Sequence, residues 1–401
     1  MGRPAMWCIT IIKKPAISLP LTIKEIQKKR QNFTYIINPE KMENRGLLFI
    51  PDISGFTQFV NKTDIEHSRM IIEELLEILI NANEIGLEVS EIEGDAILFY
   101  KFGESPDMKT LYSQVEKMFC EFHRHLISYD LNRFCQCQAC MSAIDLSLKV
   151  ITHYGEFTGY NVRNFSKLIG KDVIVAHQLL KNDIEQHEYW LVTPPLAGQA
   201  NPPPGFASWM QWERSVKQTK NGDIIFHYTQ LSRLKNELPP AEPLHLELSE
   251  KVKVFTVTRE YETDIIRLFH ASGDPNYRNR WQVGVKSVEE VSHYLPRVGM
   301  RRRNVMENGE AVYYASSYTF HPDRIRFSET DEKKKNSVNF ILERSGDNKV
   351  KLTVEYYLRK NFIAVAVFNL LRKKKMKRTF QRSLQNLDRV VKEIKLPGED
   401  A

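Results

Sequence analysis

The sequence predicts an α+β protein made of two units, each with its own sheet and helices. Three observations point to this class. Short apolar runs of strand length alternate with segments of helical period in residues 45–235. Residues 236–248 are proline-rich and acidic, which is typical of a linker. The net charge of +7 is uneven, because residues 249–401 carry 31 Lys+Arg and 20 Asp+Glu, or +11, which leaves −4 for residues 1–248.

The first unit begins after residues 1–44, which mix Pro, Lys and Asn and are predicted to be an N-terminal extension. The run "LLFIPD" predicts a buried strand, and "ISGFTQFV" leads from it into a helix. "LEVSEIEGDAILFYKFG" predicts two strands about a Gly94–Asp95 turn. The helix that begins in "ISGFTQFV" is predicted to continue through "DIEHSRMIIEELLEILINANEIG", where apolar residues recur three and four positions apart at Met70, Ile71, Leu75, Ile78 and Leu79.

The rest of the first unit continues this alternation. "DMKTLYSQVEKMFCEFHRHL" and "DVIVAHQLLKND" predict helices, while "IDLSLKVITHYGEFTGYNV", "YWLVTPPLA" and "DIIFHYTQL" predict strands. The resulting order is β-α-β-β-α-β with a terminal hairpin. A mixed sheet with helices on one face is the expected architecture.

The second unit, residues 249–398, opens with the strand "KVKVFTVTREYE" and continues with short helices around "DIIRLFHASGD" and "SVEEVSHYL". "AVYYASSYTF", "SVNFILERS" and "KVKLTVEYYLR" predict strands, and a long helix that contains "VFNLLRKKKMKRTFQRSLQNLDRVVKEI" closes the unit. We expect few contacts to cross the linker between the two units.

Composition excludes several classes of protein. With 42% hydrophobic and 27% charged residues the chain is globular rather than disordered or fibrous. The longest apolar run, "FIAVAVFNLL", is half of the roughly 20 residues that a membrane helix needs. The N-terminal apolar stretch is broken by Lys13, Lys14 and Pro15, so no secretory signal is expected. Five cysteines do not form a disulfide framework, and the predicted location is cytoplasmic.

Two carboxylates mark a candidate metal site in the first unit. Asp52 ends the first strand, and Asp95 lies in the hairpin turn, so the two converge if their strands are neighbours. Mg²⁺ and Mn²⁺ prefer oxygen ligands of this kind, with phosphates completing the shell, and a two-ion site is one arrangement. Each aspartate alone is also typical of an ordinary cap or turn residue.

These residues carry a family resemblance. "FIPDISGFTQFV" and "EIEGDAILFY" resemble the two metal-binding motifs of class III adenylate and guanylate cyclases, and "YGEFTGYNV…KLIGKDVIVAHQLL" is similar to their later catalytic segment. The likeness covers about residues 46–235, and it is closest to an uncharacterised bacterial group of cyclase-like proteins. It implies a ferredoxin-like, cyclase-type sheet, a nucleoside triphosphate as ligand, and a site shared between the subunits of a homodimer or heterodimer.

The resemblance also implies roles for individual residues. Asp52 and Asp95 match the metal aspartates, and Glu91 matches the position that reads the purine, where a carboxylate suits the N–H groups of guanine. The remaining nucleotide-binding positions implied by the two motifs are Ile53, Gly55, Phe56, Thr57 and Gly94.

Three departures from the family pattern bear on catalysis. Ile174 stands where an asparagine orients the ribose, and Gln178 stands where an arginine stabilises the transferring phosphate. Phe165 falls where a second polar residue would read the base. Loss of the arginine removes a cationic contact worth several kcal/mol to the transition state. A phosphorus–oxygen lyase reaction is therefore in doubt, although a partner chain can supply the missing pair.

A second candidate metal site is the segment "CQCQAC". Cys135, Cys137 and Cys140 lie within six residues, and Cys120 precedes them on a predicted helix. Three or four thiolates are ligands that zinc prefers. The alternative is that these thiols are reduced and unligated.

The second unit resembles the START-like, polyketide-cyclase (SRPBCC) superfamily, whose helix-grip fold wraps a sheet around the last helix. The resemblance rests on element order and "NRWQVGVKSVEEV", and it implies an apolar small molecule or lipid as ligand. The expected lining residues are Trp281, Tyr313, Phe320 and Phe340. The basic runs "RRR" and "RKKKMKR" lack a nucleic-acid motif, so nucleic acid is not an expected partner.

Three functions stay open at this stage. The first is a regulatory or binding protein whose cyclase-like nucleotide site has lost turnover and is coupled to a START-like ligand domain. The second is an active guanylate or adenylate cyclase that uses two divalent metals. The third is a lipid or small-molecule carrier in which the cyclase-like domain serves dimerisation.

Overall fold

The structure is a computed structural model that describes residues 44–62, 65–135, 137–163, 165–197, 202–220, 222–291, 297–307 and 309–394. All of these belong to one compact unit, residues 37–401. The predicted N-terminal extension, apart from Asn44, lies outside the described residues.

The first sheet has seven strands in the order β2-β3-β1-β4-β7-β9-β8. All neighbours are antiparallel except β4 and β7, which are parallel. Its strands are β1 Arg45–Ser54, β2 Glu88–Glu93, β3 Ala96–Phe102, β4 Ser147–Glu156, β7 Tyr189–Val192, β8 Glu213–Lys217 and β9 Ile224–Gln230. Two further strands, β5 Thr158–Val162 and β6 Phe165–Ile169, form a separate hairpin.

Helices cover both faces of the first sheet, which explains why β1 is an unbroken apolar run. Leu47 and Phe49 join the core on one face, and Leu48 and Ile50 join a second core on the other. The prediction that helices lie on one face of this sheet is therefore wrong, because the helix at 171–180 packs on the second face. The helices are α1 Phe56–Lys62, α2 Ile65–Asn81, α3 Met108–Asn132, α4 Gln138–Ser142, α5 Lys171–Leu180, α6 Pro194–Ala197 and α7 Arg233–Asn236.

The second sheet is antiparallel throughout, in the order β10-β16-β15-β14-β13-β12-β11. Its strands are β10 Lys251–Glu262, β11 Val285–Glu290, β12 Arg301–Met306, β13 Gly309–His321, β14 Arg324–Asp331, β15 Asn336–Gly346 and β16 Lys349–Arg359. The accompanying helices are α8 Ile265–Gly273, α9 Arg278–Trp281, α10 Phe362–Leu371 and α11 Lys373–Glu393. Two short 3-10 helices span Ala143–Asp145 and Pro275–Tyr277.

The α+β class predicted from sequence is confirmed, and several local predictions differ. The helix predicted to run on from "ISGFTQFV" is described as two helices, α1 and α2, and the end of the predicted strand "YWLVTPPLA" is the helix α6. The segment predicted to be a helix from Ser287 onward is β11 as far as Glu290, because it pairs with β12 at the edge of the sheet. The long final helix is two helices that meet at Arg372. The last helix, α11, packs into the core of the second sheet through Leu384 and Leu387.

The predicted linker is fixed by hydrogen bonds to both halves of the molecule. The backbone N–H of Leu244 donates to the side-chain oxygen of Asn132 (2.7 Å), and that of Leu246 donates to the carbonyl of Ser316 (2.8 Å). The N–H of Val298 also donates to the carbonyl of Asn132 (2.9 Å). More contacts thus cross this junction than the composition of the linker suggested.

No helix in the described part of the chain is both long enough and apolar enough to cross a membrane.

Candidate functional site

Asp52 and Asp95, which we call the acidic pair, lie next to each other at one end of the first sheet. Asp52 is opposite Ala96 in the pairing of β1 with β3, so it is adjacent to the turn that carries Asp95. The backbone N–H of Ile53 donates to the carbonyl of Asp95 (3.1 Å), which fixes the hairpin turn against the end of β1. The convergence expected from the sequence is therefore present in the structure.

The segment that follows Asp52 and the turn that carries Asp95 also approach each other at a glycine. Gly94 has a φ of +63°, which favours glycine, and a Cβ added there would lie 3.8 Å from the ring of Phe56. Gly55, with a φ of +91°, turns the chain from β1 into α1 and places Phe56 over the hairpin. Thr57 is exposed, whereas Ile53 is fully buried and contributes only its backbone to this surface.

The electrostatics of the acidic pair favour a cation. Burial raises the pKa of Asp52, and burial together with the charge of Asp52 raises the pKa of Asp95 to about 6. Two partly desolvated carboxylates that repel each other are stabilised by a proton or by a metal ion. This donor set fits a hard divalent cation such as Mg²⁺ or Mn²⁺.

A lysine missed by the sequence reasoning already faces the acidic pair. Lys149 pairs directly with Asp52 across β1 and β4, and its Nζ lies 3.4 Å from Asp52 Oδ1. The same Nζ lies 3.4 Å from the carbonyl of Leu180. Its charge lowers the pKa values of both aspartates against the effect of burial. The strand register would have identified Lys149 only if the β1–β4 pairing had been known.

Glu91, the predicted purine reader, has charged partners of its own. It lies on β2 and forms an ion pair with Lys167 of β6. Its carboxylate also lies within 4.8 Å of ligand atoms of Glu93 and His177. Phe165, to which the sequence assigned a base-reading position, is 73% exposed, and Lys167 is the β6 residue that contacts Glu91.

The two positions that depart from the catalytic pattern lie on α5. Ile174 is 55% exposed and is apolar. Gln178 is half-buried, and its carbonyl accepts a hydrogen bond from the N–H of Lys181 (3.2 Å). Neither side chain supplies a positive charge for a phosphate.

The sulfurs of "CQCQAC" converge on a histidine. His67 of α2 and Cys135, Cys137 and Cys140, which together we call the cysteine cluster, place one ligand atom each within 4.8 Å of all the others. Hydrogen bonds to Cys135 and Cys137 raise the pKa of His67 to about 10, so the sulfurs favour positive charge at this point.

Cys120, the fourth thiol of the predicted zinc set, is not part of the cysteine cluster. It lies on α3, where burial and the charge of Glu116 raise its thiol pKa to about 11, and His67 takes the fourth place in the cluster. The sequence reasoning missed His67 because 68 residues separate it from the nearest of the three cysteines.

The aromatic residues expected to line a cavity in the second unit have different environments. Trp281 and Phe340 are fully buried in the core, and the guanidinium of Arg278 stacks on both rings at 4.8 and 5.6 Å. The other two differ, since Tyr313 is half-buried and Phe320 is 44% exposed.

Arg278 belongs to a buried ion network inside the second sheet. Its partner Glu329 also pairs with Arg302, and all three side chains are at least nine-tenths buried. Burial opposes ionisation of Glu329, but the two arginines outweigh it and lower the pKa of the carboxyl. A buried network of charged groups therefore lies beside two of the aromatic residues that were expected to line an apolar cavity.

Comparisons with known proteins give distant similarities. A family profile described as "Protein of unknown function (DUF2652)" matches residues 72–189. "Uncharacterized protein Rv2561/Rv2562" of Mycobacterium tuberculosis is 26% identical over 181 residues, which are 43% of this chain and 78% of that protein.

Similar solved structures include two nucleotide cyclases. The guanylate cyclase domain of RhGC from Catenaria anguillulae, in complex with GTP, has 14% identity, covers 47% of this chain and 98% of its own, and gives a TM-score of 0.35. The adenylyl cyclase CyaB from P. aeruginosa has 13% identity, covers 47% and 95% respectively, and gives a TM-score of 0.32.

Proposed function

We propose that the first half of the chain is a nucleotide cyclase-like binding module that takes a divalent cation and a nucleoside triphosphate without turning it over. The observation that carries this proposal is the convergence of Asp52 and Asp95 beside Lys149. Two carboxylates supply oxygen ligands for Mg²⁺ or Mn²⁺, and an ammonium group supplies charge for a phosphate. The binding site would thus contain both signs of charge that a metal–triphosphate complex requires.

Lys149 has a specific part in this proposal. In the ligand-free chain its ammonium group compensates the charge of Asp52 from 3.4 Å. When a cation binds to the two carboxylates, that compensation becomes repulsion, and the flexible lysine side chain is free to turn to a phosphate oxygen. Lys149 would therefore exchange one anionic partner for another as the ligand enters.

The proposed loss of turnover follows from three positions. Ile174 and Gln178 lack the amide and the guanidinium that would orient the ribose and stabilise charge on the phosphate. Lys167 neutralises Glu91, so the carboxylate that would read guanine is already paired within the same chain. A binding protein needs none of these groups, whereas a cyclase depends on them.

Calorimetric titration tests the binding proposal. The full chain is titrated with a non-hydrolysable GTP or ATP analogue in Mn²⁺, and in parallel with EDTA. We expect metal-dependent binding that Asp52→Asn weakens at least tenfold, since it removes a charged ligand. Asp347→Asn, which alters an exposed acid of the second sheet, is the matched control and should bind normally. Equal affinity of Asp52→Asn and the unaltered chain would refute the proposed site.

A product assay separates binding from catalysis. Incubation with GTP or ATP and Mn²⁺ should give no cyclic nucleotide above a protein-free blank. A cyclic product that disappears in Asp52→Ala would instead establish the alternative, an active guanylate or adenylate cyclase. Analytical ultracentrifugation with and without nucleotide tests the dimer that the family resemblance implies.

For the second half we propose a helix-grip, START-like domain. The strand order and the packing of α11 against the sheet support this assignment. Binding of an apolar molecule or lipid there remains a prediction, which native mass spectrometry of the purified chain checks. Absence of any co-purifying apolar compound after organic extraction would count against the carrier function.

A further inference from the structure

We propose that His67, Cys135, Cys137 and Cys140 form a four-coordinate zinc site that fastens the junction between the two sheets. The sequence alone suggested zinc with Cys120 as a ligand, whereas the structure provides a histidine from α2 in its place. This site is separate from the acidic pair, and the proposal does not depend on nucleotide binding.

The distances fit one tetrahedral ion. The Nδ1 atom of His67 lies 3.3 Å from the Sγ of Cys137 and 3.5 Å from the Sγ atoms of Cys135 and Cys140. In a tetrahedral site with Zn–S bonds of about 2.3 Å and Zn–N bonds of about 2.0–2.1 Å, nitrogen and sulfur are about 3.5 Å apart. The three nitrogen–sulfur distances therefore match those of a tetrahedral zinc site.

The backbone around the cysteine cluster suits thiolates. The N–H of Cys137 donates to the Sγ of Cys135, and the N–H of Cys140 donates to the Sγ of Cys137, each at 3.5 Å. Cys137 is also the N-cap residue of α4, and the hydrogen bond from Cys140 is its capping bond. These hydrogen bonds reduce the cost of gathering three anionic sulfurs in one place.

The chemistry of the ligands selects the metal. Three thiolates and an imidazole are soft and borderline ligands, which favour Zn²⁺ over Mg²⁺ or Ca²⁺. All four ligand atoms lie within 4.8 Å of one another, which suits a single ion. Cys135 and Cys140 are buried at 4% and 1% exposure, and a closed four-ligand site of this kind is structural rather than catalytic.

The position of the cluster indicates what zinc would stabilise. Phe134, next to Cys135 in the chain, packs its ring 5.5 Å from Tyr318 and 6.4 Å from Phe269 of the second half. His67, Cys135 and Phe134 also line a cavity of about 110 Å³ together with residues of α8. Zinc would tie the segment that carries Phe134 to α2 and thereby hold the aromatic contact between the two halves.

Metal analysis of the full chain tests the proposal. Protein purified without added metal should contain one zinc per chain by inductively coupled plasma mass spectrometry. Cys140→Ser and His67→Ala should each lose at least nine-tenths of the zinc, while Cys120→Ser, a matched thiol outside the cluster, should retain it. Zinc-free protein, iron in place of zinc, or a disulfide among the three cysteines would overturn the assignment.

A cobalt substitution keeps the test valid if the cysteine variants do not fold. The unaltered chain is stripped with a chelator under reducing conditions and reconstituted with Co²⁺. We expect the ligand-field absorption of tetrahedral cobalt and sulfur-to-cobalt charge-transfer bands consistent with three thiolates. An octahedral spectrum, or free reaction of Cys135, Cys137 and Cys140 with a thiol reagent in the metal-loaded chain, would refute a tetrahedral Cys₃His site.

A second, independent feature is the exposed apolar surface of α10. In this helix only Phe368 is buried, where its ring stacks on Tyr356 at 5.7 Å. The large apolar side chains left exposed are Phe362 at 87%, Ile363 at 78%, Val367 at 49%, Leu370 at 84% and Leu371 at 71%. A contiguous apolar surface of this kind marks an interaction site.

The geometry points to an anionic lipid surface as the occupant of this site. Directly after α10, the first turns of α11 present exposed basic residues, which are Lys374, Lys375, Lys377 and Arg378. An apolar helix that enters the headgroup boundary beside a basic cluster combines the two forces that bind peripheral proteins to membranes. α10 is too short to span a bilayer, so it would lie in the interface.

Vesicle sedimentation tests this inference on the full chain. We expect binding to phosphatidylcholine vesicles containing phosphatidylserine, with at least tenfold less binding to pure phosphatidylcholine. Leu370→Glu with Leu371→Glu should reduce binding at least tenfold, whereas Phe165→Glu, an equally exposed aromatic position on β6, should not. Lack of binding to the anionic vesicles would refute the proposal. So would a concentration-dependent dimer that the leucine substitutions abolish, because that result assigns the surface to a second copy.

Discussion

The acidic pair and the cysteine cluster both gather metal-type ligands, but they differ in what faces those ligands. The carboxylates of Asp52 and Asp95 face a lysine of the same chain, at a partly open end of the first sheet. The cysteine cluster converges on its own centre, and two of its three cysteines are buried. The first arrangement suits a ligand that comes and goes, and the second suits an ion that stays.

This difference shows how charge compensation separates a binding site from a structural site. Lys149 compensates part of the negative charge of the acidic pair, so the fold depends less on a metal ion there. The cysteine cluster has one side chain that can carry positive charge among the partners of its sulfurs in the described chain, His67, and a single imidazolium does not balance three thiolates. Its three thiolates would therefore depend on a metal for their stability.

The largest expected effect comes from breaking the cysteine cluster. Cys140→Ser should lower the free energy of unfolding by about 4 kcal/mol, because loss of a structural metal removes binding energy that the folded state uses. Urea unfolding followed by circular dichroism measures this change. If Cys140→Ser unfolds at the same urea concentration as the unaltered chain, the cysteine cluster does not hold a structural metal.

A smaller effect is expected from removing the internal cation of the acidic pair. Lys149→Ala should bind Mn²⁺ about tenfold more tightly, or about 1.4 kcal/mol, because the metal no longer competes with an ammonium group 3.4 Å from Asp52. Calorimetry with Mn²⁺ alone makes the measurement. Lys109→Ala, at the start of α3, serves as the control, and weaker Mn²⁺ binding by Lys149→Ala would contradict the proposed role of the lysine.

The raised pKa of Asp95 predicts a pH-dependent stability. The folded state binds the proton of Asp95 more tightly than the unfolded state, with a pKa of about 6 against 3.8, so this residue destabilises the fold as pH rises between these values. In metal-free buffer, Asp95→Asn should raise the free energy of unfolding by about 1 kcal/mol at pH 8 and leave it unchanged at pH 3.5. The figure allows for solvent screening of this half-exposed group. Urea titrations at both pH values check the prediction. A constant difference would show that Asp95 titrates normally.

The smallest effect is expected at the cysteine outside the cluster. Cys120→Ser should change the free energy of unfolding by less than about 0.5–1 kcal/mol, since the half-buried thiol on α3 makes no contribution to the proposed metal site. Differential scanning calorimetry of this variant beside Cys140→Ser sharpens the comparison. A large loss of stability in both variants would mean that Cys120 acts together with the three thiols of the cysteine cluster.

The part of the fold that could be predicted from sequence is the part with strong local signals. The run from Leu47 to Ile50 is continuous and apolar because both faces of β1 are buried, and the Gly94–Asp95 pair marks a hairpin by local turn chemistry. The sequence placed Asp52 and Asp95 together on the condition that β1 and β3 are neighbours, and the pairing of these two strands meets that condition.

The remainder depended on contacts that no local pattern specifies. Lys149 faces Asp52 through the register of β1 and β4, and His67 reaches the three cysteines across two helices. Residues 285–290 have a pattern compatible with a helix but lie at a sheet edge, where pairing with β12 makes them a strand. Register, helix packing and edge pairing are properties of the assembled chain, so a single sequence does not reveal them.

Asn132, the last residue of α3, determines how the protein can be divided for experiments. Its side-chain oxygen and its carbonyl accept hydrogen bonds from Leu244 and Val298, so one residue of the first half binds two segments that follow it by more than a hundred positions. A fragment that stops at residue 235 would leave both acceptors without these donors and would uncover the ring of Phe134. The two halves of this protein should accordingly be expressed together, because separate expression would expose to water the apolar surface that each half buries against the other.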